Sequence, residues 1–95
     1  MAEKQYVIFK LGSEEYGIDI MNVTEITEFK ETTKIPCAPN FIHGVINLRG
    51  NVIPVINLKK RFHLDEANIK KNSRIIIVTM NEKQIGFIVD DASQV

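Results

Sequence analysis

The sequence predicts an all-β fold, either a small barrel or a sandwich, on three observations. Short stretches rich in β-branched and other apolar residues recur along the 95-residue chain, and polar turns separate them. Several of these stretches alternate apolar with polar side chains, as half-buried strands do. Helix is predicted only as isolated single turns. Many short strands with tight turns are typical of small barrels and sandwiches.

The first predicted element is a hairpin. Residues 5–11 alternate as a strand, Gly12 begins a turn, and residues 15–20 return with apolar side chains at every second position. The carboxylate of Asp19 can accept from the free amides of a short helical turn over 21–23.

A strand over 24–29 follows, with Ile26 predicted to face inward. Pro36 and Pro39 then favour an extended connector, because proline fixes its own φ and restricts the residue before it. One helical turn is expected over 40–43.

The stretch Gly44–Phe62 forms the centre of the sequence. Its apolar runs, 45–48 and 52–58, are separated by a three-residue break that contains glycine, which indicates a second hairpin. Pro54 cannot donate a hydrogen bond, so its strand is expected to lie at a sheet edge or to carry a bulge. Arg49 is the one charge in the middle of the hairpin and needs either a carboxylate or a binding partner.

The remaining elements complete a predicted set of strands. Residues 59–62 favour a short helix, and 63–72 are expected to form a polar loop. The apolar run within 73–80 predicts a strand covered on both faces. Residues 84–89 pair back, and 90–95 begin a further segment.

Composition narrows the function. The formal net charge of zero gives no long-range attraction to nucleic acid or to an anionic membrane. No apolar run approaches the roughly 20 residues of a spanning helix, and no signal-peptide pattern follows Met1. Cys37 is the only cysteine, so no internal disulfide can form, which fits a reducing cytosol.

A family resemblance extends along nearly the whole chain. The pattern N-L-R-G-x-x-x-P-V-x-N-L-x-x-R-F, from Asn47 to Phe62, resembles the signature of CheW-type coupling proteins of bacterial chemotaxis. Further matching segments are 16–20, 23–26, 35–36, 41–45 and 85–90. There are two departures: Asn57 stands where the family usually has Asp, and the chain stops at Val95, short of the usual family length.

The resemblance implies a pair of small SH3-like β-barrels. Residues 1–95 are then the N-terminal portion of a CheW-like domain, with 5–20 supplying strands of the first barrel and 24–89 forming the second. A C-terminal segment completes the first barrel in the family, so an incomplete first barrel is expected here. Its unpaired edges and an uncovered apolar face predict a homodimer, which could exchange the N-terminal hairpin. That face contains Val7, Phe9, Ile18 and Ile20.

The resemblance also implies a function without catalysis or cofactor. Such proteins are adaptors that couple the cytoplasmic tip of chemoreceptors to the regulatory domain of the histidine kinase CheA, in the cytoplasm at membrane receptor arrays. One alternative is the same domain excised from a CheA kinase or a CheV-like fusion. An alternative of another class is an SH3-like peptide- or RNA-binding module.

Five residues are candidates for the kinase or receptor interface: Val23, Glu25, Gly44, Arg49 and Gly86. Glu25 and Arg49 are expected to form an ion pair, because a cation in an apolar hairpin needs an anion. All five match family positions, and each also has a purely structural interpretation. In that interpretation Val23 is core, Gly44 ends a helical turn and Gly86 relieves crowding in a strand.

Catalysis, metal binding and nucleic-acid binding receive less support. Cys37, His43 and His63 lack a recognisable orienting acid and paired ligand spacing, and Cys37 is expected to be a small buried hydrophobe. The basic residues over 59–61 and 70–71 are balanced by nearby acids, so a solvated surface is the simpler interpretation.

Overall fold

A computed structural model describes residues 5–62 and 73–94; the loop predicted over 63–72 lies outside them. A 3-10 turn spans Ile20–Asn22 and the α-helical turn α1 spans Leu58–Arg61. The strands are β1 (Tyr6–Leu11), β2 (Glu14–Asp19), β3 (Val23–Glu28), β4 (Ile42–Leu48), β5 (Asn51–Asn57), β6 (Arg74–Met80), β7 (Lys83–Val89) and β8 (Asp91–Gln94). The all-β prediction with one or two short helical turns is confirmed.

The strands form two sheets. The first has the order β2-β1-β8 and the second the order β3-β6-β7-β5-β4. Neighbouring strands run antiparallel, except that β5 and β7 pair in parallel over Val55–Asn57 and Gly86–Ile88. The chain therefore starts in the first sheet, builds the second, and returns to the first with β8.

The first sheet corrects two expectations about the N-terminal hairpin, although the outer side of β2 has no neighbouring strand among the described residues. Strand β1 is paired on both sides, by β2 and by β8, so it offers no open edge over 7–10. Its apolar face is also covered, since Val7 is 1% and Phe9 9% exposed. The expectation of an uncovered face was wrong because the second sheet packs against it.

The second sheet closes into a barrel. Its edge strands are β3 and β4, and Thr33, just after β3, pairs with Val45 of β4. Each backbone amide of this bridge donates to the other residue's carbonyl over 2.9 Å. The barrel interior is filled by Ile46, Ile53, Val55, Ile75, Ile77 and Ile88, with Phe29 and Leu48 packed against them.

A second apolar core joins the barrel to the first sheet. It contains Val7, Phe9, Leu11, Leu58, Ile76, Val78 and Val89. Strand β6 serves both cores, because Ile75 and Ile77 face the barrel interior while Ile76 and Val78 face the first sheet. The prediction of a strand covered on both faces is confirmed.

The strand that contains Pro54 was expected to lie at a sheet edge or to carry a bulge. It does not lie at an edge, because β5 lies between β7 and β4. The parallel pairing with β7 starts one residue later, at Val55, so the missing amide falls where that ladder begins. The irregularity in the hairpin lies on the other strand, between Ile42 and Gly44.

Two further local predictions were wrong. Ile26 is 37% exposed; it pairs with Ile76, which faces the first sheet, and so lies at the margin of the inter-sheet core. Residues 40 and 41 form a turn, closed by a 3.0 Å hydrogen bond from the Ile42 amide to the Pro39 carbonyl, and residues 42 and 43 already belong to β4. No helix forms in this segment.

Both predicted single turns of helix are present at the other positions. Asp19 caps the 3-10 turn by accepting from the Met21 amide over 2.9 Å. Asn57 caps α1 by accepting from the Lys60 amide over 3.2 Å. Asn57 thus performs the capping role that an Asp also performs, because both side chains carry an acceptor oxygen.

Candidate functional site

The barrel brings Glu25 of β3 into contact with Arg49, in the turn between β4 and β5. Nη1 of Arg49 donates to Oε1 of Glu25, and Nη2 lies 3.5 Å from Oε2. These groups come from opposite edges of the five-stranded sheet, so the ion pair lies across the closure of the barrel. The Arg49 side chain is 71% exposed and that of Glu25 26% exposed, so the pair remains accessible to a partner.

The turn itself sets the position of the guanidinium. Arg49 and Gly50 both have positive φ, 52° and 85°, as the two central residues of a type I′ hairpin do. The side chain of Asn47 accepts from the Gly50 amide over 3.0 Å. A left-handed conformation is uncommon for arginine, and the hairpin fixes it here.

The charges of the pair stabilise each other. The hydrogen bond from Arg49 holds the pKa of Glu25 below its usual 4.5, and the same bond raises the pKa of Arg49. The Glu25 carboxylate binds a proton less readily in the folded chain than in the unfolded chain. The stability that Glu25 contributes to the fold is therefore present above pH 4.5 and is lost as the pH falls through its lowered pKa. The pair is therefore intact at neutral pH.

Val23 and Thr24 lie beside Glu25 at the start of β3. Val23 is half-buried against the inter-sheet core, and the pairing of β3 with β6 shifts between Val23 and Glu25. The hydroxyl of Thr24 bonds that of Thr79 over 2.5 Å, which fixes this end of β3 to β6. Three of the singled-out residues, Val23, Glu25 and Arg49, thus belong to one region at the start of β3.

Gly44 lies inside β4 and ends no helical turn. Its φ is 154°, and a Cβ there would lie 2.5 Å from the Thr33 carbonyl oxygen and 2.6 Å from the Thr32 hydroxyl. The segment Thr32–Thr33 therefore approaches β4 more closely than any side chain at position 44 allows. Gly44 belongs to the Thr33–Val45 closure of the barrel.

Gly86 faces the barrel interior on β7. A Cβ there would lie 2.9 Å from Cγ2 of Ile75 and 3.4 Å from both Ile77 and Val55. It is buried and contacts core side chains, so the geometry matches the expected relief of crowding.

Two apolar side chains near this region are exposed. Met21 is 86% exposed in the 3-10 turn, and Ile26 is 37% exposed on β3. Both lie where β3 meets the first sheet, beside Val23. This surface could not be predicted from the sequence. The alternation of apolar and polar residues in β3 does not show which face of β3 lies toward the first sheet.

Cys37 is exposed, whereas His43 is half-buried. Cys37 is exposed with φ 63°, so the expectation of a buried hydrophobe was wrong. Nδ1 of His43 bonds the Thr32 hydroxyl over 2.7 Å, and its ring packs edge-on to Phe29. Over 5–62 and 73–94, no three His, Cys, Asp or Glu side chains group as metal ligands. His63 lies outside the described residues.

His43 predicts a pH dependence of stability. Burial, then the charges of Lys34 and Lys60, hold its pKa below 6.5, so the unfolded chain takes up a proton first as the pH falls. Stability present above pH 6.5 is therefore lost toward lower pH. We expect the melting midpoint to fall between about pH 7 and pH 5.5, and thermal melts of His43→Gln to show a smaller fall. An unchanged fall in that variant would assign the titration to other groups.

Among the residues that the structure describes, no helix is long and apolar enough to cross a membrane.

Comparison with known proteins identifies the family. Residues 5–95 match the CheW-like domain. Chemotaxis protein CheW of Treponema pallidum is 43% identical over 95 residues, which cover 96% of this chain and 56% of that protein. Chemotaxis protein CheW of Bacillus subtilis is 39% identical over 92 residues, which cover 97% of this chain and 59% of that protein. The chain thus spans little more than half the length of these relatives.

A solved structure has the same fold. The crystal structure of the scaffolding protein TtCheW from Thermoanaerobacter tengcongensis superposes with a TM-score of 0.94 at 47% identity, covering 98% of this chain and 64% of that one. The two-sheet arrangement and the barrel described above are therefore the arrangement of a CheW scaffold. On the matched domain, the relatives and this structure, the chain belongs to the CheW-like family.

Proposed function

We propose that this chain is a non-catalytic adaptor that couples chemoreceptors to the histidine kinase CheA in bacterial chemotaxis. The observation that supports this most is the accessible Glu25–Arg49 pair, which lies beside Val23 at one end of the barrel. Arginine is enriched among residues that dominate protein interfaces. An exposed guanidinium that a neighbouring carboxylate holds in one orientation suits a binding surface.

In this proposal the chain has two protein partners in the cytoplasm, at membrane receptor arrays. One is the regulatory domain of CheA and the other is the cytoplasmic tip of a chemoreceptor. Val23, Glu25, Gly44, Arg49 and Gly86 are the candidates for these contacts. Gly44 lies at the closure of the barrel and Gly86 faces its interior, whereas Glu25 and Arg49 present side chains to solvent.

Co-purification tests the proposal against its alternatives. The chain should retain both the CheA regulatory domain and a receptor fragment, and it should not retain single-stranded RNA. Retention of RNA with neither protein would favour the SH3-like nucleic-acid module. Retention of receptor and of a CheW protein, but not of CheA, would favour a domain excised from a CheA kinase.

The proposal assigns no chemical role to the thiol of Cys37, and substitution of this residue tests that assignment. We expect Cys37→Ser to leave binding of both partners unchanged, because the thiol is exposed in a turn and serine keeps its size. Isothermal titration of the variant against the CheA regulatory domain measures this. A loss of affinity larger than the loss of stability would contradict a passive Cys37.

Association of two copies is a further part of the proposal. Fewer open strand edges support association than the sequence suggested, because β1 is paired on both sides. Within the described residues, the outer sides of β2 and β8 remain without a neighbouring strand, and Tyr6 on β1 is 42% exposed. Open strand edges favour pairing with another chain. We expect light scattering at micromolar concentration to report a dimer, and a monomer with a cooperative melt would contradict it.

A further inference from the structure

A buried ion pair joins α1, which follows strand β5 of the barrel, to the connection between β7 and β8. Lys59, in α1, is 4% exposed although it stands in a basic run whose side chains were expected to be solvated. Its Nζ lies 3.0 Å from Oδ2 and 3.3 Å from Oδ1 of Asp90. The Asp90 side chain is 15% exposed. A lysine is almost never buried unless it is paired, so this arrangement requires an explanation.

Asp90 also holds the first sheet through two backbone bonds. Its Oδ2 accepts from the Gly12 amide over 2.7 Å, in the turn between β1 and β2. Its own amide donates to the Lys10 carbonyl over 2.9 Å. Asp90 lies at the connection from β7 to β8, where the chain passes from the barrel to the first sheet. Asp90 thus contacts α1 and the β1–β2 hairpin, and it lies in the connection from β7 to β8.

The contacts of Lys59 and Asp90 are directional, whereas the apolar contacts between the two sheets are not. Burial of apolar surface is non-directional, so it does not by itself set the angle at which Val7 and Phe9 face Ile76 and Val78. Charged hydrogen bonds have defined geometry, and a buried ion pair often specifies an arrangement without adding net stability. A directional ion pair between α1 and Asp90 can therefore select one angle between the sheets.

We propose that Lys59 and Asp90 are positioning residues that fix the angle between the first sheet and the barrel, and thereby the shape of the surface where β3 meets the first sheet. The importance of that surface for partners rests on the proposed adaptor function. The proposal of a fixed angle does not rest on that function, because it is argued only from the contacts between Lys59, Asp90 and Gly12.

Three variants separate positioning from stability. Lys59→Met and Asp90→Leu each leave one buried charge alone, and we expect each to lower the melting midpoint by more than about 10 °C. The double variant removes both charges, and its midpoint should return to within about 5 °C of the original. Lys60→Met is the matched control, since Lys60 is the exposed neighbour on the same helical turn. Lys60→Met should change neither the melting midpoint nor the angle between the two sheets.

Residual dipolar couplings of backbone amides report the angle directly. In the original chain, one alignment tensor should fit both sheets. In the double variant, each sheet should still fit its own coordinates, but the two should require different tensors. A single tensor for the double variant would overturn the proposal. Should that variant fail to fold, Lys59→Met with Asp90→Asn keeps an acceptor for the Gly12 amide and carries the same test.

Binding separates this inference from the proposed function. Titration with the CheA regulatory domain should show an affinity at least about tenfold lower for the double variant than for Lys60→Met. A changed angle with unchanged affinity would overturn the functional half of the inference. Failure of the original chain to bind would contradict the proposed function and leave the dipolar-coupling result decisive for the angle.

Discussion

Replacing Gly44 with alanine is expected to lower the free energy of unfolding by about 3 kcal/mol or more. The added Cβ would lie 2.5 Å from the carbonyl oxygen of Thr33 and 2.6 Å from the hydroxyl of Thr32. One of these contacts is with backbone, so rotation of a side chain cannot relieve it. The segment after β3 must move away from β4, which breaks the paired hydrogen bonds between Thr33 and Val45.

Urea unfolding of Gly44→Ala measures this loss, and Gly12→Ala is the matched control. Gly12 also has positive φ, 64°, but no atom lies within 4 Å of the position of its Cβ. The control should therefore cost only the left-handed conformation, about 1 kcal/mol. Equal losses in the two variants would show that the backbone conformation matters and that the close approach of the two strands does not.

The hairpins could be predicted from the sequence because their signals are local. Alternating apolar residues identify β1 and β2, and a glycine-containing break identifies the turn between β4 and β5. A contact between Glu25 and Arg49 could also be anticipated, because an isolated cation among apolar residues needs an anion. The hairpins require only neighbouring residues, whereas the choice of Glu25 as the anion also depends on the family resemblance at positions 25 and 49.

The relation between the two sheets could not be predicted in the same way. Ile26 is apolar in an alternating strand, but whether it is covered depends on how far the first sheet extends over β3. Pairing of β8 with β1 joins residues about eighty positions apart, so no local pattern encodes it. Lys59 stands between a capped helix start and two further basic residues, and nothing in that composition distinguishes the buried lysine from the exposed ones.

Cys37 shows the same limit at the level of a single residue. A cysteine beside proline is most simply interpreted as a small buried side chain. The backbone instead turns at this position with positive φ, and the turn places the thiol in solvent. Conformation, and not hydrophobicity, decides the environment of this residue.

Replacing Arg49 with alanine is expected to lower receptor-coupled activation of CheA by at least about tenfold, with only a small change in the melting midpoint. The side chain is 71% exposed, and exposed ion pairs contribute little to folding. Its two nitrogens are nevertheless held toward Glu25 at the end of the barrel, where the proposal places a partner. A reconstituted assay of kinase activity with receptor and CheA, alongside thermal melts, measures both quantities.

Two further variants assign the role of the guanidinium. Arg49→Lys keeps the charge and loses the planar fork, so it should retain folding and only part of the activity. Exchange of the two residues, Glu25→Arg with Arg49→Glu, restores an ion pair across the barrel closure. If the pair serves the barrel alone, the exchange should recover activity. If Arg49 contacts a partner, as we expect, activity should stay low in the folded exchange variant. A stability loss in Arg49→Ala large enough to account for the lost activity would make the residue structural.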